Sequence, residues 1–364
     1  MRMGYLDGIR GLLALGVGVY HLSGENAFSG YYIAVDLFMI MSGFVLCHAY
    51  MRHAGQMSAP EFFGRRLARL YPAYFAAGMV LAILLAIGYP ISPEAAAAAR
   101  ADYGATGFWT YVLATQAFPQ LSPQSTVWIA PGWSLSVELW VGLGLFCLMP
   151  LLRRAPRPAG NACFALAIVI YMMMLTTHEN LCVILNGWFG ITNAGTLRGI
   201  AAFAIGYALY SRLPDIAISP AAPRWILSTV EIAAFCFVIV VPTCLDWKTY
   251  DLPVIIAFIL MIGLLVKRGP ESVLARALAS RPMLFLGTIS YSFYLLHTVA
   301  GKVMTRMVED GLLPGGPFAI ALCVAATIAL SWVSVLMVER PGQKVGLRLI
   351  EILKTRRAAV TAAA

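Results

Sequence analysis

Charge is scarce in this sequence. Of its 364 residues, 12% are Asp, Glu, Lys or Arg, about half the share of a soluble domain. That excludes a chain whose surface meets water on every side. Histidine is rarer still, with five in all. The seven cysteines show no Cys-x-x-Cys and no Cys/His spacing, so a bound metal is not expected. Cys47, Cys147, Cys163, Cys236 and Cys323 stand in apolar runs and read as small core residues. No internal repeat, soluble domain or Ser/Gly-rich linker stands out. The N-terminus lacks a basic stretch leading to a small-residue cleavage site, so the first apolar run is read as a span.

What is present is apolar: 60% hydrophobic residues and a mean hydropathy of +0.78. The fold class is therefore an all-α polytopic membrane protein. Spans are expected at 6–23, 31–50, 71–89, 133–152, 162–179, 194–211, 225–242, 252–266, 284–301 and 317–338, about ten helices. With the N-terminus inside, only Arg100, Arg198, Lys248, Lys302 and Arg306 of the 26 Lys and Arg fall on the outer side. This bias places both termini in the cytoplasm. It also makes the net charge of +9 a topology signal and not a nucleic-acid footprint. The membrane domain is expected over 1–343, with a basic cytoplasmic tail over 344–364 that reads as an amphipathic surface helix. Residues 90–132, with an Ala run, an amphipathic piece around Phe108–Phe118 and the turn-rich LSPQS and APG, read as an outer loop with an interfacial or re-entrant helix.

The chain is organised around Asp7–Leu22. This stretch is apolar and Gly-rich, yet it carries Arg10 and His21. Eleven positions are about three helical turns, so both side chains fall on one face, separated by roughly 16 Å along the axis. Ionisable groups inside a span usually mark a working site. The plainer reading is a snorkelling anchor and a satisfied core histidine, which serves for either residue alone, but a bundle helix has no structural need for both in one line. Three other spans place an ionisable group at similar depth: Asp36, Glu138 and His297. Asp36 is roughly level with His21 and is expected to accept its second ring N–H. Ser134 and Glu138 share a helix face, as do Ser290, Tyr294 and His297. One shared cavity is a better account than four unrelated contacts, since each group would be costly facing lipid.

A second cluster lies at the inner face, where FFGRRLARLYP brings Arg65, Arg66 and Arg69 together. A planar guanidinium suits phosphate; charge alone favours a positive-inside anchor or lipid-headgroup contact, and Arg10 near the same surface raises the phosphate reading. Together the clusters suggest transfer across the membrane. A phosphate-bearing donor docks on the arginines, its arm reaches His21, and an acceptor comes from outside. Neutral histidine serves as a general base or carries an acyl group. The alternatives are a transporter or flippase and a non-catalytic scaffold.

Six stretches, in order along nearly the whole chain, resemble the integral-membrane acyltransferase 3 family. They are LDGIRG through His21, VDLFMIMSGFVL, FFGRRLARLYPAYF, WSLSVELW, LGTISYSFYLLH and the ERP of Glu339–Pro341. The resemblance implies about ten helices in a bacterial inner membrane. It implies cytosolic acyl-CoA, usually acetyl-CoA, as co-substrate, with no tightly bound cofactor. The acceptor would be a sugar of a polysaccharide, lipopolysaccharide, exopolysaccharide or glycolipid, or an antibiotic. Residue by residue, His21 resembles the catalytic histidine and Arg10 its partner on the donor side. Arg65, Arg66 and Arg69 resemble the CoA-contacting motif, and Glu138 the acid of the W-S-x-x-x-E motif. Trp133, Ser134, Asp36, Tyr294 and His297 are expected to support the site. Some members carry an added esterase-like domain; this chain is expected to be of the stand-alone type.

Overall fold

The computed structural model describes residues 3–24, 28–87, 105–118, 129, 131–178, 180–182, 187–188, 192–219, 222–244 and 250–363. The Ala run at 95–99, the LSPQS turn, Arg100 and Lys248 lie outside them. The protein is an all-α polytopic membrane protein. Its helices are α1 (Gly4–Leu22), α2 (Ala34–Tyr50), α3 (Ala59–Ala86), α4 (Ala105–Val112), α5 (Gly132–Leu152), α6 (Pro156–His178), α7 (Ala194–Arg212), α8 (Arg224–Cys244), α9 (Asp251–Arg268), α10 (Val273–Leu278), α11 (Arg281–Glu309), α12 (Pro317–Ser334) and α13 (Arg340–Ala363). An antiparallel pair of two-residue strands, Gly187–Trp188 with Thr192–Asn193, precedes α7.

Among the described residues, eight helical stretches are long and apolar enough to cross a membrane. Two of the ten expected spans, α1 and α7, are not among them. Each has 19 residues, and both are wrapped by protein. Fifteen residues of α7 and eleven of α1 are buried. A helix covered by its neighbours needs no uniformly apolar surface, so these two carry the glycines and polar groups that lipid-facing helices cannot. α1 packs along α11, and α7 packs against α2, α5 and α6.

Three boundaries differ from those expected. α3 begins at Ala59, so the arginine motif lies on the spanning helix itself. Ser58 caps this start by accepting from the Glu61 N–H at 3.4 Å, and Pro60 sits in the first turn. α11 continues to Glu309. α12 runs on through a π turn, Val335–Glu339, into α13. Pro341 offers no backbone donor, and the π turn absorbs that break in the ladder. α13 then lies along α3, with Gly346 against Ala68 and Lys354 bonded to Glu61 at 2.9 Å.

α4 is the expected amphipathic piece. It turns Tyr111 onto α3 and leaves Trp109 and Leu113 exposed. The Tyr74 hydroxyl donates to the Tyr111 carbonyl at 2.9 Å, and the Tyr111 hydroxyl donates to the Tyr74 carbonyl.

Candidate active site

The close approach of α1 and α11 sets the geometry of the site. A Cβ on Gly11 would come within 2.6 Å of Leu286 Cβ and 2.7 Å of the Gly287 nitrogen. One on Gly18 would stand 2.6 Å from the Phe293 ring. The absent side chains let the two axes close up, as small residues do in membrane bundles. The contact brings His21, near the end of α1, to His297 on α11. His21 Nδ1 lies 3.1 Å from His297 Nε2, with the ring centroids 5.1 Å apart. His297 is fully buried, whereas His21 is exposed.

Two backbone carbonyls order the protons of this pair. His297 Nδ1 lies 3.3 Å from the Phe293 carbonyl, and His21 Nδ1 lies 3.1 Å from the Val17 carbonyl. A carbonyl only accepts. With a hydrogen on each Nδ1, which both carbonyls favour, His21 Nδ1–H is shared between the Val17 carbonyl and His297 Nε2, and the basic lone pair of His21 is on Nε2.

Below the histidines is a cavity of about 50 Å³, lined by residues of α1, α2, α5 and α11. Arg10, Ser42, Ser134, Glu138, Ser290 and Tyr294 supply its polar wall. Ser134 Oγ and the Tyr294 hydroxyl are 3.0 Å apart, and the Tyr294 ring lies 5.8 Å from that of His297. Tyr294 thus stands between the cavity and the histidine pair. At the other end, Arg66 Nη2 donates to Glu138 Oε1 at 2.8 Å, and Ser42 donates to the same oxygen at 3.3 Å. Arg10, Arg66, Arg69 and Glu138 lie within charge range of one another.

The expected residues divide accordingly. Arg10, Glu138, Ser134 and Tyr294 line the cavity, Arg66 is bonded to Glu138 at one end, and His297 and His21 follow Tyr294 at the other. Arg65 turns aside and pairs with Glu61 at 3.0 Å. Arg69 is exposed at the motif's end. Asp36 does not orient His21: it pairs with Arg198 and accepts from the Tyr171 hydroxyl at 3.1 Å. Arg198 is 1% exposed, and a buried guanidinium takes the nearest carboxylate. Trp133 belongs to that group too, with Arg198 5.8 Å above its ring. Asp36 and Trp133 therefore brace α2, α5 and α7 around the site.

Sequence reasoning missed Ser42, Arg198 and Glu339. Glu339 closes the π turn, accepts from Ser292 at 3.0 Å and lies within charge range of Arg10 and Arg69. The signal for it was the acid of the ERP stretch; that for Arg198 was a lone cation in an otherwise apolar helix. For Ser42, one hydroxyl in an apolar run gave none.

Among curated proteins, the chain is 24% identical to O-acetyltransferase OatA of Staphylococcus aureus (strain NCTC 8325 / PS 47), over 97% of this chain and 59% of that protein. It is 22% identical to the putative O-acetyltransferase SACOL0978 of Staphylococcus aureus (strain COL), over 95% of this chain and 58% of that protein. The chain thus spans about three-fifths of the length of these relatives. No solved structure matches it. The acyltransferase domain family, acyltransferase 3, matches residues 3–336, and the chain belongs to that family.

Proposed function

We propose that the chain transfers an acyl group, acetyl in the first instance, from acyl-CoA to a hydroxyl of a sugar or glycolipid acceptor, in the bacterial inner membrane. The observation that carries this reading is the polar-walled cavity between Arg10, Glu138 and Tyr294, with Arg66 bonded to Glu138 at one end and the ring of Tyr294 next to the imidazole pair at the other. The O-acetyltransferase names of two relatives supply the reaction class.

The donor's phosphates meet Arg66, Arg69 and Arg10, with Arg65 beside them, at the arginine-rich end. Guanidinium forks hold phosphate oxygens in pairs. The thioester arm then threads the cavity. Its volume of about 50 Å³ admits water but not the arm, so the Arg66–Glu138 pair parts as the donor enters.

At the far end the acceptor hydroxyl approaches exposed His21. Nε2 takes the hydroxyl proton while the oxygen attacks the thioester carbonyl. The tetrahedral adduct collapses with cleavage of the carbon–sulfur bond, and the imidazolium returns its proton to the departing sulfur. His297, accepting from Nδ1, holds the ring and shares the positive charge as it forms. The same Nε2 lone pair is the nucleophile if the acyl group rests on His21 first. Glu138 and Ser134 position the arm and the acceptor from α5.

The test is transfer itself. Purified chain in liposomes receives isotopically labelled acetyl-CoA on the side of the arginine motif and a membrane glycolipid or oligosaccharide on the other. Label appearing in an ester of the acceptor supports the reading. Movement of the acceptor across the liposome without any acyl donor would replace it with a transporter.

A further inference from the structure

A second space, about 540 Å³ in volume, opens at the arginine-rich end of the bundle between α8, α9 and α10. It is away from the cavity beneath the histidines and shares no lining residue with it. Arg224 and Trp225 line it from the first turn of α8, Arg268 from the last turn of α9, and Arg276 from α10. The one acid among its lining residues is Glu271.

The charges are not equivalent. Arg268 is buried and its charge is already met. Its Nη1 stands 2.9 Å from Glu231 Oε2, its Nη2 donates to Ser228 at 3.2 Å, and Ser272 donates to the same carboxylate at 2.6 Å. This group is the floor. Arg276 is exposed and held in place, with Nη1 donating to the Pro270 carbonyl at 2.8 Å. Arg224 is exposed in the first turn of a 21-residue helix. A cation there is on the wrong side of the helix dipole. It adds to the positive end of α8 instead of offsetting it, and the result attracts an anion.

Beside the arginines, the side of the space formed by α8 carries an exposed apolar surface. Trp225 is 70% exposed, and beyond it Ile226, Ile232 and Val240 leave an apolar strip exposed along α8. Tryptophan at a helix end belongs at the membrane–water interface. A soluble anion would use the arginines and leave this strip bare; a lipid uses both.

We propose that this space binds the headgroup phosphate of an anionic phospholipid, between Arg224 and Arg276, with the acyl chains lying along α8 beyond Trp225. The chemistry recognised is a phosphodiester attached to hydrocarbon. The site is independent of the acyl-transfer reading, because none of its residues belongs to the site described above.

The experiment uses the full chain purified in mild detergent. Bound lipid is extracted and identified by mass spectrometry, and affinity is measured in nanodiscs containing phosphatidylglycerol in a phosphatidylcholine background. The parent is expected to retain phosphatidylglycerol and to melt higher with it than in phosphatidylcholine alone. The double variant Arg224→Gln/Arg276→Gln should bind it about thirtyfold more weakly, the factor that two interfacial arginines carry. Arg224→Lys/Arg276→Lys should keep most of the affinity and serves as the folding control. Equal affinity in parent and Gln variant would overturn the proposal. So would displacement of the lipid by inorganic phosphate or by CoA, which would make the space a soluble-anion or nucleotide site.

Discussion

Arg66 donates to Glu138 at 2.8 Å, and this one ion pair ties the helix of the arginine motif to the helix of the W-S-x-x-x-E motif across the cavity floor. The arginine proposed to hold the donor is therefore already paired with a carboxylate. On the proposed function, donor phosphate competes with this carboxylate, and the carboxylate it frees is left facing the cavity.

Glu138→Gln tests that competition. The side chains are 15% and 22% exposed, so the pair is partly shielded and its loss should lower unfolding free energy by about 1–3 kcal/mol, less than for a fully buried pair. Acyl-CoA affinity should rise or hold, because Arg66 is released, while kcat falls at least tenfold. Equilibrium binding of a non-hydrolysable acyl-CoA analogue and steady-state rates separate the two. Loss of donor binding would show that Glu138 positions Arg66 and does not compete for it.

The buried pair Arg198–Asp36 is a stability element. Arg198 is 1% exposed and Asp36 fully buried. Asp36→Asn leaves a guanidinium uncompensated and should cost about 3–5 kcal/mol. Thermal unfolding in detergent should therefore show a larger drop than for Glu138→Gln. A drop smaller than that of Glu138→Gln would contradict this reading of the Arg198–Asp36 pair.

Gly11→Ala places a Cβ against Leu286 and the Gly287 backbone. Backbone cannot rotate aside, so α1 and α11 must separate. Overpacking of this kind costs about 1–3 kcal/mol. An ångström of displacement between the imidazoles should lower activity about a hundredfold. The measurement is turnover per folded molecule, with membrane abundance followed separately.

His297→Gln and His297→Leu distinguish a hydrogen-bond acceptor from a space-filling ring. The Gln amide oxygen accepts from His21 Nδ1, so that variant should keep kcat within a few-fold. Leu offers no acceptor, and kcat should fall about 10–100-fold with KM for the acceptor little changed, a loss in the range of one acid–base contribution. Equal losses in both variants would remove His297 from the proton path.

Much of this arrangement could be read from the residues alone. Arg10 and His21 share a face because helical period and spacing require it, and that reading needs no partner. Ser134 beside Glu138, and Tyr294 beside His297, follow from the same arithmetic. What failed was pairing between helices. Depth counting set Asp36 level with His21, but depth says nothing about rotation. Asp36 faces α7, where Arg198 is buried. The expected start at residue 71 is late because arginines in a sequence read as a membrane boundary, whereas α3 begins at Ala59. Ser58 and Pro60 show that the helix was already under way. The π turn was hidden because no periodicity marks a single wide turn; only Pro341 hinted at it.

The most direct test replaces His21. Purified parent and His21→Ala, matched for folding by thermal unfolding, are given labelled acetyl-CoA and acceptor in the same liposomes. The account predicts that His21→Ala binds the acyl-CoA analogue as the parent does and transfers label at least a hundredfold more slowly, as loss of a general base requires. Transfer at the parent rate would contradict it, and the imidazole pair would then be a structural contact between α1 and α11.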